Sequence, residues 1–188
     1  DRDGKYQLAA LAESGFDPVA RTCRFMLTEE AHHMFVGDTG VNRVVQRTCE
    51  IIAEHGEDRV REQGGIPLDI IQKYINLWFS LSVDLFGGEV SSNAADYFAA
   101  GLKGRFKEAR YDEHTALGQV YNITQVVDGR LSTEEVPLRN AMNEVLRDEY
   151  VADSGKGVAR WNKTLADAGL SRRLALPDRK FHRQIGLY

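Results

Sequence analysis

Leu27-Thr28-Glu29-Glu30-Ala31-His32-His33-Met34 sets two carboxylates and two imidazoles within five residues, inside a run that otherwise has the pattern of a packed helix. Buried charge is costly unless it is paired or holds a metal. Residues three apart share a helix face, so Glu29/His32 and Glu30/His33 are each a Glu-x-x-His pair able to grip one ion. The surrounding stripes choose between them. The 30/33 register continues into Cys23, Met26 and Gly37, flanked by Leu27 and Met34. The 29/32 register continues into Thr22, Phe25, Val36 and Thr39. The first stripe is more apolar and ends in a small residue, so Glu30 and His33 are the preferred metal ligands. Glu29 and His32 then become neighbours that orient the imidazole. An ordinary exposed ion pair has the same spacing. Mixed nitrogen and oxygen donors suit iron, manganese or zinc, and spacing does not choose among them.

In helical bundles that hold two metal ions, each of two helices supplies a Glu-x-x-His and each of the other two a carboxylate. The motif is therefore half of such a site, and the fold it demands is a bundle. Working outward, residues 1–11 read as the end of a helix. Asp17 is placed as an N-cap with Pro18 at the first helical position, opening a helix that runs to Val36 and breaks or kinks at Gly37-Asp38-Thr39-Gly40. Val41 to Glu54 is amphipathic. Leu68 to Phe86 carries apolar residues around nearly its whole circumference, which predicts burial on more than one side, and Gly87-Gly88 ends it. Helices follow over 92–100 and 105–116. Val120 to Leu131 is rich in β-branched residues before Asp128-Gly129, a hairpin signal. A long helix is expected from Val136 to Val151, an interruption at Ser154-Gly155-Lys156-Gly157, and a short helix over 158–168. The fold class is all-α: a helical bundle portion over 1–154, with an irregular insertion near 118–132, and a basic, loop-rich C-terminal extension over 155–188.

Length and composition fit this. The chain has 188 residues, 43% apolar and 28% charged, with a net charge of −4, ordinary for a globular protein with a substantial core. That balance gives no nucleic-acid signature. Charge is nevertheless divided: from Gly155 on, eight Lys and Arg face two Asp, a net +6 that leaves −10 for the first 154 residues. The two cysteines, Cys23 and Cys49, sit in apolar helical contexts, which fits a reducing, cytoplasmic setting without disulfides. No apolar run approaches membrane-spanning length. Other metal-like groups are weaker. Asp112-Glu113-His114 has Tyr111 where a second Glu-x-x-His needs its carboxylate. His55 reads as a helix-end residue. His182 lies among Arg179, Lys180 and Arg183, a setting for anions. Ser154-Gly155-Lys156-Gly157 lacks the full phosphate-loop pattern.

Three runs carry a family resemblance: Asp1-Arg2-Asp3-Gly4-Lys5-Tyr6-Gln7-Leu8, Ala12-Glu13-Ser14-Gly15-Phe16-Asp17-Pro18, and Thr22 through Gly37 around the opening motif. With Gly104-Arg105-Phe106-Lys107-Glu108-Ala109-Arg110-Tyr111 and the tail, they resemble the oxygenase subunits of benzoyl-coenzyme A 2,3-epoxidases. The resemblance implies a ferritin-like class I di-iron protein that receives NADPH electrons through a separate flavin and iron–sulfur reductase. It implies O₂ activation and transfer of one oxygen atom across the 2,3 bond of the benzoyl-CoA ring, in aerobic benzoate degradation. Matched residue by residue, it adds Asp1 to Glu30 and His33 as metal ligands. The family's other carboxylate and other Glu-x-x-His would precede Asp1, so the chain resembles the C-terminal part of a longer oxygenase and is expected to be inactive alone. A coenzyme A substrate gives the basic C-terminus a role, because its phosphates need cationic partners. Lys156, Arg160, Arg172, Arg173, Arg179, Lys180 and Arg183 are the candidates, with a solvated tail or a protein-docking surface as the alternative. Met26, Met34, Phe35 and Trp78 are candidate walls of an apolar pocket, or ordinary core. Competing identities are a phenylacetyl-CoA oxygenase, a ribonucleotide reductase small subunit, or a non-enzymatic ferritin-like bundle.

Overall fold

The computed structural model describes residues 1–104 and 119–177. Two expected features fall outside these ranges: the 105–116 helix with its Asp112-Glu113-His114 group, and the extreme C-terminus with Arg179, Lys180, His182 and Arg183. The described residues form α1 (Arg2–Ala12), α2 (Asp17–His55), α3 (Leu68–Asp84), α4 (Ser92–Ala99), a hairpin of β1 (Val120–Val127) and β2 (Arg130–Pro137), and α5 (Met142–Asp167).

α1 and α2 are joined by a tight connection and fold back on each other. α2 starts one residue earlier than expected: Phe16 holds the extended cap position, with Asp17 and Pro18 in the first turn. Ser14 Oγ accepts the Phe16 N–H at 3.1 Å. The turn after α4 closes over this connection, with the Gly15 N–H on the Gly101 carbonyl at 2.7 Å and the Gly104 N–H on that of Ala10 at 2.8 Å.

The expected break at Gly37–Gly40 does not occur. α2 runs unbroken for 39 residues, about 58 Å at the helical rise. The reason is tertiary. Asp38 bonds Arg2 of α1 at 3.0 Å and pairs with Arg160 of α5, while its carbonyl accepts the Trp161 indole N–H at 3.2 Å. The expected interruption at Ser154–Gly157 is absent too, so the division at residue 154 falls inside α5. Gly157 lies where α5 meets α2. A Cβ there would stand 3.1 Å from Asp38 Oδ1, so the glycine serves close helix approach rather than termination.

The hairpin is the departure from an all-α chain. Asp128 and Gly129 both take positive φ (51° and 74°), as a two-residue turn matched to strand twist requires. Val120 pairs with Pro137 and Val127 with Arg130. Val136, expected to open a helix, belongs to β2 and is buried with Ile123 and Ala141. Its alternation with exposed neighbours, rather than a helical period, decides its state.

Two apolar clusters lie among the long helices, apart from those at α4 and the hairpin. Tyr6, Ala10, Phe79, Val83, Phe86, Leu146 and Tyr150 form one, at α1, α3 and α5. Val45, Cys49, Leu68, Ile71, Val158, Leu165 and Leu174 form the other, nearer the C-terminal end of α2. The strap after α5 is pinned by reciprocal bonds: Ala175 with Gln72 (2.9 and 2.7 Å) and Leu174 with Asn162 (2.8 Å each way). Arg147 is buried, pairs with Glu144, and donates to the Val83 carbonyl at 3.0 Å and to that of Gly87. It thereby ties α5 to the last turn of α3 and the connection after it. Full burial of α3 is not found. Leu68, Ile71, Phe79 and Val83 are inside, but Tyr74, Leu77, Leu81 and Trp78 (62% exposed) are not. α2 and α5 cover one face of the helix only.

Arg2 also reaches Asp153 of α5 at 2.6 Å, and Lys5 reaches the same carboxylate at 3.4 Å. Burial opposes ionisation of both Arg2 and Asp153. Their mutual pairing outweighs it, so the guanidinium is raised and the carboxyl lowered from their ordinary values. Tyr6, beneath them, is pushed up to about 12 by burial and then by the carboxylates of Asp153 and Glu149. A carboxyl lowered by folding stabilises fully above its unfolded value and loses that contribution as pH falls through the folded one. Asp153→Asn should therefore cost about 2 kcal/mol near neutrality, between exposed and fully buried pairs. The difference from wild type should shrink in urea titrations below the ordinary carboxyl value of 3.8.

Candidate metal centre

The α1–α2 hairpin determines which residues meet. Counting back from the connection along α1 and forward along α2 brings the start of α1 opposite the middle of α2. Asp1, Glu30 and His33 converge there, with one ligand atom from each lying within 4.8 Å of the others. His33 Nδ1 is 3.8 Å from Glu30 Oε1. Among the described residues this is the group of three acidic, histidine or cysteine side chains positioned for one ion.

Burial separates the two carboxylates but not the two imidazoles. The Glu30 side chain is 16% exposed and that of His33 is 47% exposed, and Glu29 and His32 are both exposed. The His32 ring lies 6.3 Å from that of His33 and is tilted by 56°, which is not an orienting hydrogen bond. Glu30 Oε2 is buried and has no hydrogen-bond partner. Such an atom is costly to keep, and a cation is the natural way to satisfy it. Two carboxylates and an imidazole fit iron, manganese or zinc. Gly4 of α1, which no sequence pattern marks as functional, lies under this carboxylate. Its Cβ position is 3.4 Å from Glu30 Cδ and 3.5 Å from each carboxylate oxygen. Cys23 and Cys49 are buried and free. Burial pushes both thiols up, so neither supplies a thiolate at neutral pH.

A groove of about 610 Å³ begins one turn along α2 from His33, at Gly37 and Arg2, and is walled by Val41, Val44, Ile75, Trp78 and Trp161. Gly37 and Gly40 line it, and no protein atom stands within 4 Å of a Cβ built at either. Of the four expected pocket walls, Trp78 lines this groove. Met26 and Phe35 are exposed and Met34 half-buried, so these three are neither core nor groove.

The described basic residues do not form one patch. Lys156 stands 4.0 Å from Asp153 and Arg160 pairs with Asp38. Both are near the groove. Asp38 follows Glu30 by two turns of α2, about 12 Å. Arg172 pairs with Glu57, and Arg173 donates to the carbonyls of Leu170 (2.7 Å) and Arg172 (2.9 Å). With Lys73 they line a separate hollow of about 330 Å³. That hollow lies where the start of α3, the end of α5 and the strap meet, beside the C-terminal half of α2.

Over its whole length the chain is 50% identical, across 192 aligned residues, to benzoyl-CoA oxygenase component B of Aromatoleum evansii. The likeness covers every element described above. The chain spans 41% of that relative's length, and no protein-family model matches it. Among the described residues, no helix is long and apolar enough to cross a membrane.

If Glu30 is a ligand and not a structural ion-pair partner, removing its charge should not weaken the metal-free protein. Glu30→Met is expected to raise metal-free stability by about 1 kcal/mol, because an unpartnered buried oxygen disappears. Equilibrium denaturation in the presence of a chelator measures this, and a loss of stability would make Glu30 a structural residue.

Proposed function

We propose that this chain carries one side of a di-iron centre in an oxygenase acting on benzoyl-CoA. The carrying observation is the convergence of Asp1, Glu30 and His33 on one point, in a chain half identical to a benzoyl-CoA oxygenase component. Asp1, Glu30 and His33 would hold iron in a ferritin-like bundle. The remaining ligands of a two-iron site belong to the longer polypeptide, for which a relative of more than twice this length leaves room. When bound, iron supplies the redox chemistry with O₂. The overall reaction places one oxygen atom across the 2,3 bond of the ring and releases the other as water. Two electrons from NADPH, delivered through a separate flavin and iron–sulfur reductase, and two protons complete the balance.

The protein's own residues have three tasks. The Glu30 carboxylate and the exposed His33 ring, on one helix face, set the ligand geometry. The groove offers an aromatic ring an apolar surface to lie against. Lys156 and Arg160, close enough to the cluster for one coenzyme A to span, meet its phosphates. Arg172 and Arg173, at the separate hollow, are further candidates for the same role. The fates of Arg179, Lys180 and Arg183 rest on charge alone.

The test uses the complete polypeptide with its reductase. Wild type should bind iron and convert benzoyl-CoA to a non-aromatic product with one added oxygen, dependent on NADPH. Glu30→Ala and His33→Ala should each lose iron and slow turnover by about 100-fold or more. Turnover of phenylacetyl-CoA instead would move the protein to a neighbouring oxygenase. Iron uptake with no acyl-CoA binding would make it a storage bundle.

A further inference from the structure

Gly4 is the third residue of α1, in its first turn, and alanine is the better helix former there. Nothing forbids alanine there on steric grounds. The nearest atoms to a Cβ would be those of the Glu30 carboxylate, at 3.4 to 3.5 Å, an ordinary contact. The backbone does not require glycine either, because Gly4 is not among the residues with positive φ. What a methyl group would change is the space around one carboxylate. All three carboxyl atoms of Glu30 lie over the bare backbone of α1, and one oxygen is buried without a partner.

Resting on the metal-site proposal above, we infer that Gly4 is a positioning residue. Its missing side chain leaves room beside the Glu30 carboxylate, so that the group can turn and present either oxygen beside Asp1 and His33. A methyl group would lie in van der Waals contact with all three carboxyl atoms and hold the carboxylate in one orientation. A carboxylate that must accommodate an ion needs the opposite. The rest of the helix gains from alanine, so the two effects of the substitution have opposite signs and can be read separately.

The experiment compares Gly4→Ala with Gly155→Ala in the complete polypeptide. Gly155 is also a glycine inside a helix, and a methyl there meets no protein atom within 4 Å. Both variants should melt slightly higher than wild type in the metal-free state. Fe(II) and Co(II) are then titrated into metal-free protein, with equilibrium dialysis and the Co(II) ligand-field absorption as readouts. Gly4→Ala should bind both ions roughly 10-fold more weakly with an altered Co(II) spectrum, and Gly155→Ala should match wild type. Unchanged affinity and spectrum in Gly4→Ala would overturn the inference. So would a lower melting temperature of metal-free Gly4→Ala, which would make the glycine a packing residue. Glu30→Ala, measured alongside, tests the underlying site: if it too binds both ions normally, the ligand assignment fails rather than the role of Gly4.

Discussion

Arg2 is the residue on which the arrangement of the three long helices turns. It leaves the first turn of α1 and bonds Asp38 of α2 at 3.0 Å and Asp153 of α5 at 2.6 Å. Its two acidic partners also bind Arg160 and Lys5, so three cations and two carboxylates share one partly buried site. Burying charge without partners is prohibitive, whereas a fully satisfied cluster specifies a single register. The geometry follows. α5 cannot slide along α2 without unpairing Asp38, and α1 cannot rotate without carrying Arg2, Asp1 and Gly4 out of place together. Apolar packing supplies most of the stabilisation through the two core clusters, but that force is non-directional. The ion cluster fixes which residues face which.

Charge also explains the two glycine-bearing segments that remain helical. From local propensity, Gly37–Gly40 and Ser154–Gly157 both read as breaks. They lie at the same place in three dimensions, where Asp38 crosses Gly157 and Trp161. Tertiary bonds outweigh the few tenths to one kcal/mol that each glycine costs a helix. Sequence periodicity had no access to a contact between residues more than a hundred positions apart. The hairpin shows the reverse case. Asp128-Gly129 is a local signal and was legible, while the length of β2 was not, since Val136 and Leu138 fit a strand end and a helix start equally well.

The metal cluster divides along the same line. The choice of Glu30 and His33 over Glu29 and His32 came from the apolar stripe beside them, a local property; Glu30 is the less exposed carboxylate, while His32 and His33 are both exposed. Asp1 was reached only through the family resemblance, because nothing in its own neighbours marks it. Gly4 was not reached at all: its significance depends on what lies across the helix pair. The basic residues teach a further point. Their clustering in sequence was evident, but the fold gives Arg160 to Asp38 and Arg172 to Glu57, two separate acidic partners.

The cluster, its cradle and its register all lie within the first 33 residues. They come from one helical hairpin whose contacts are close in sequence, the kind that forms early in folding. α5, by contrast, must close a loop of more than a hundred residues before Asp153 meets Arg2, an entropic cost that local pairing does not bear. The convergence of Asp1, Glu30 and His33 can therefore take shape while the rest of the chain is still searching, and α5 arrives later as a latch. Order of assembly, and not only final geometry, is thus written into the position of the motif.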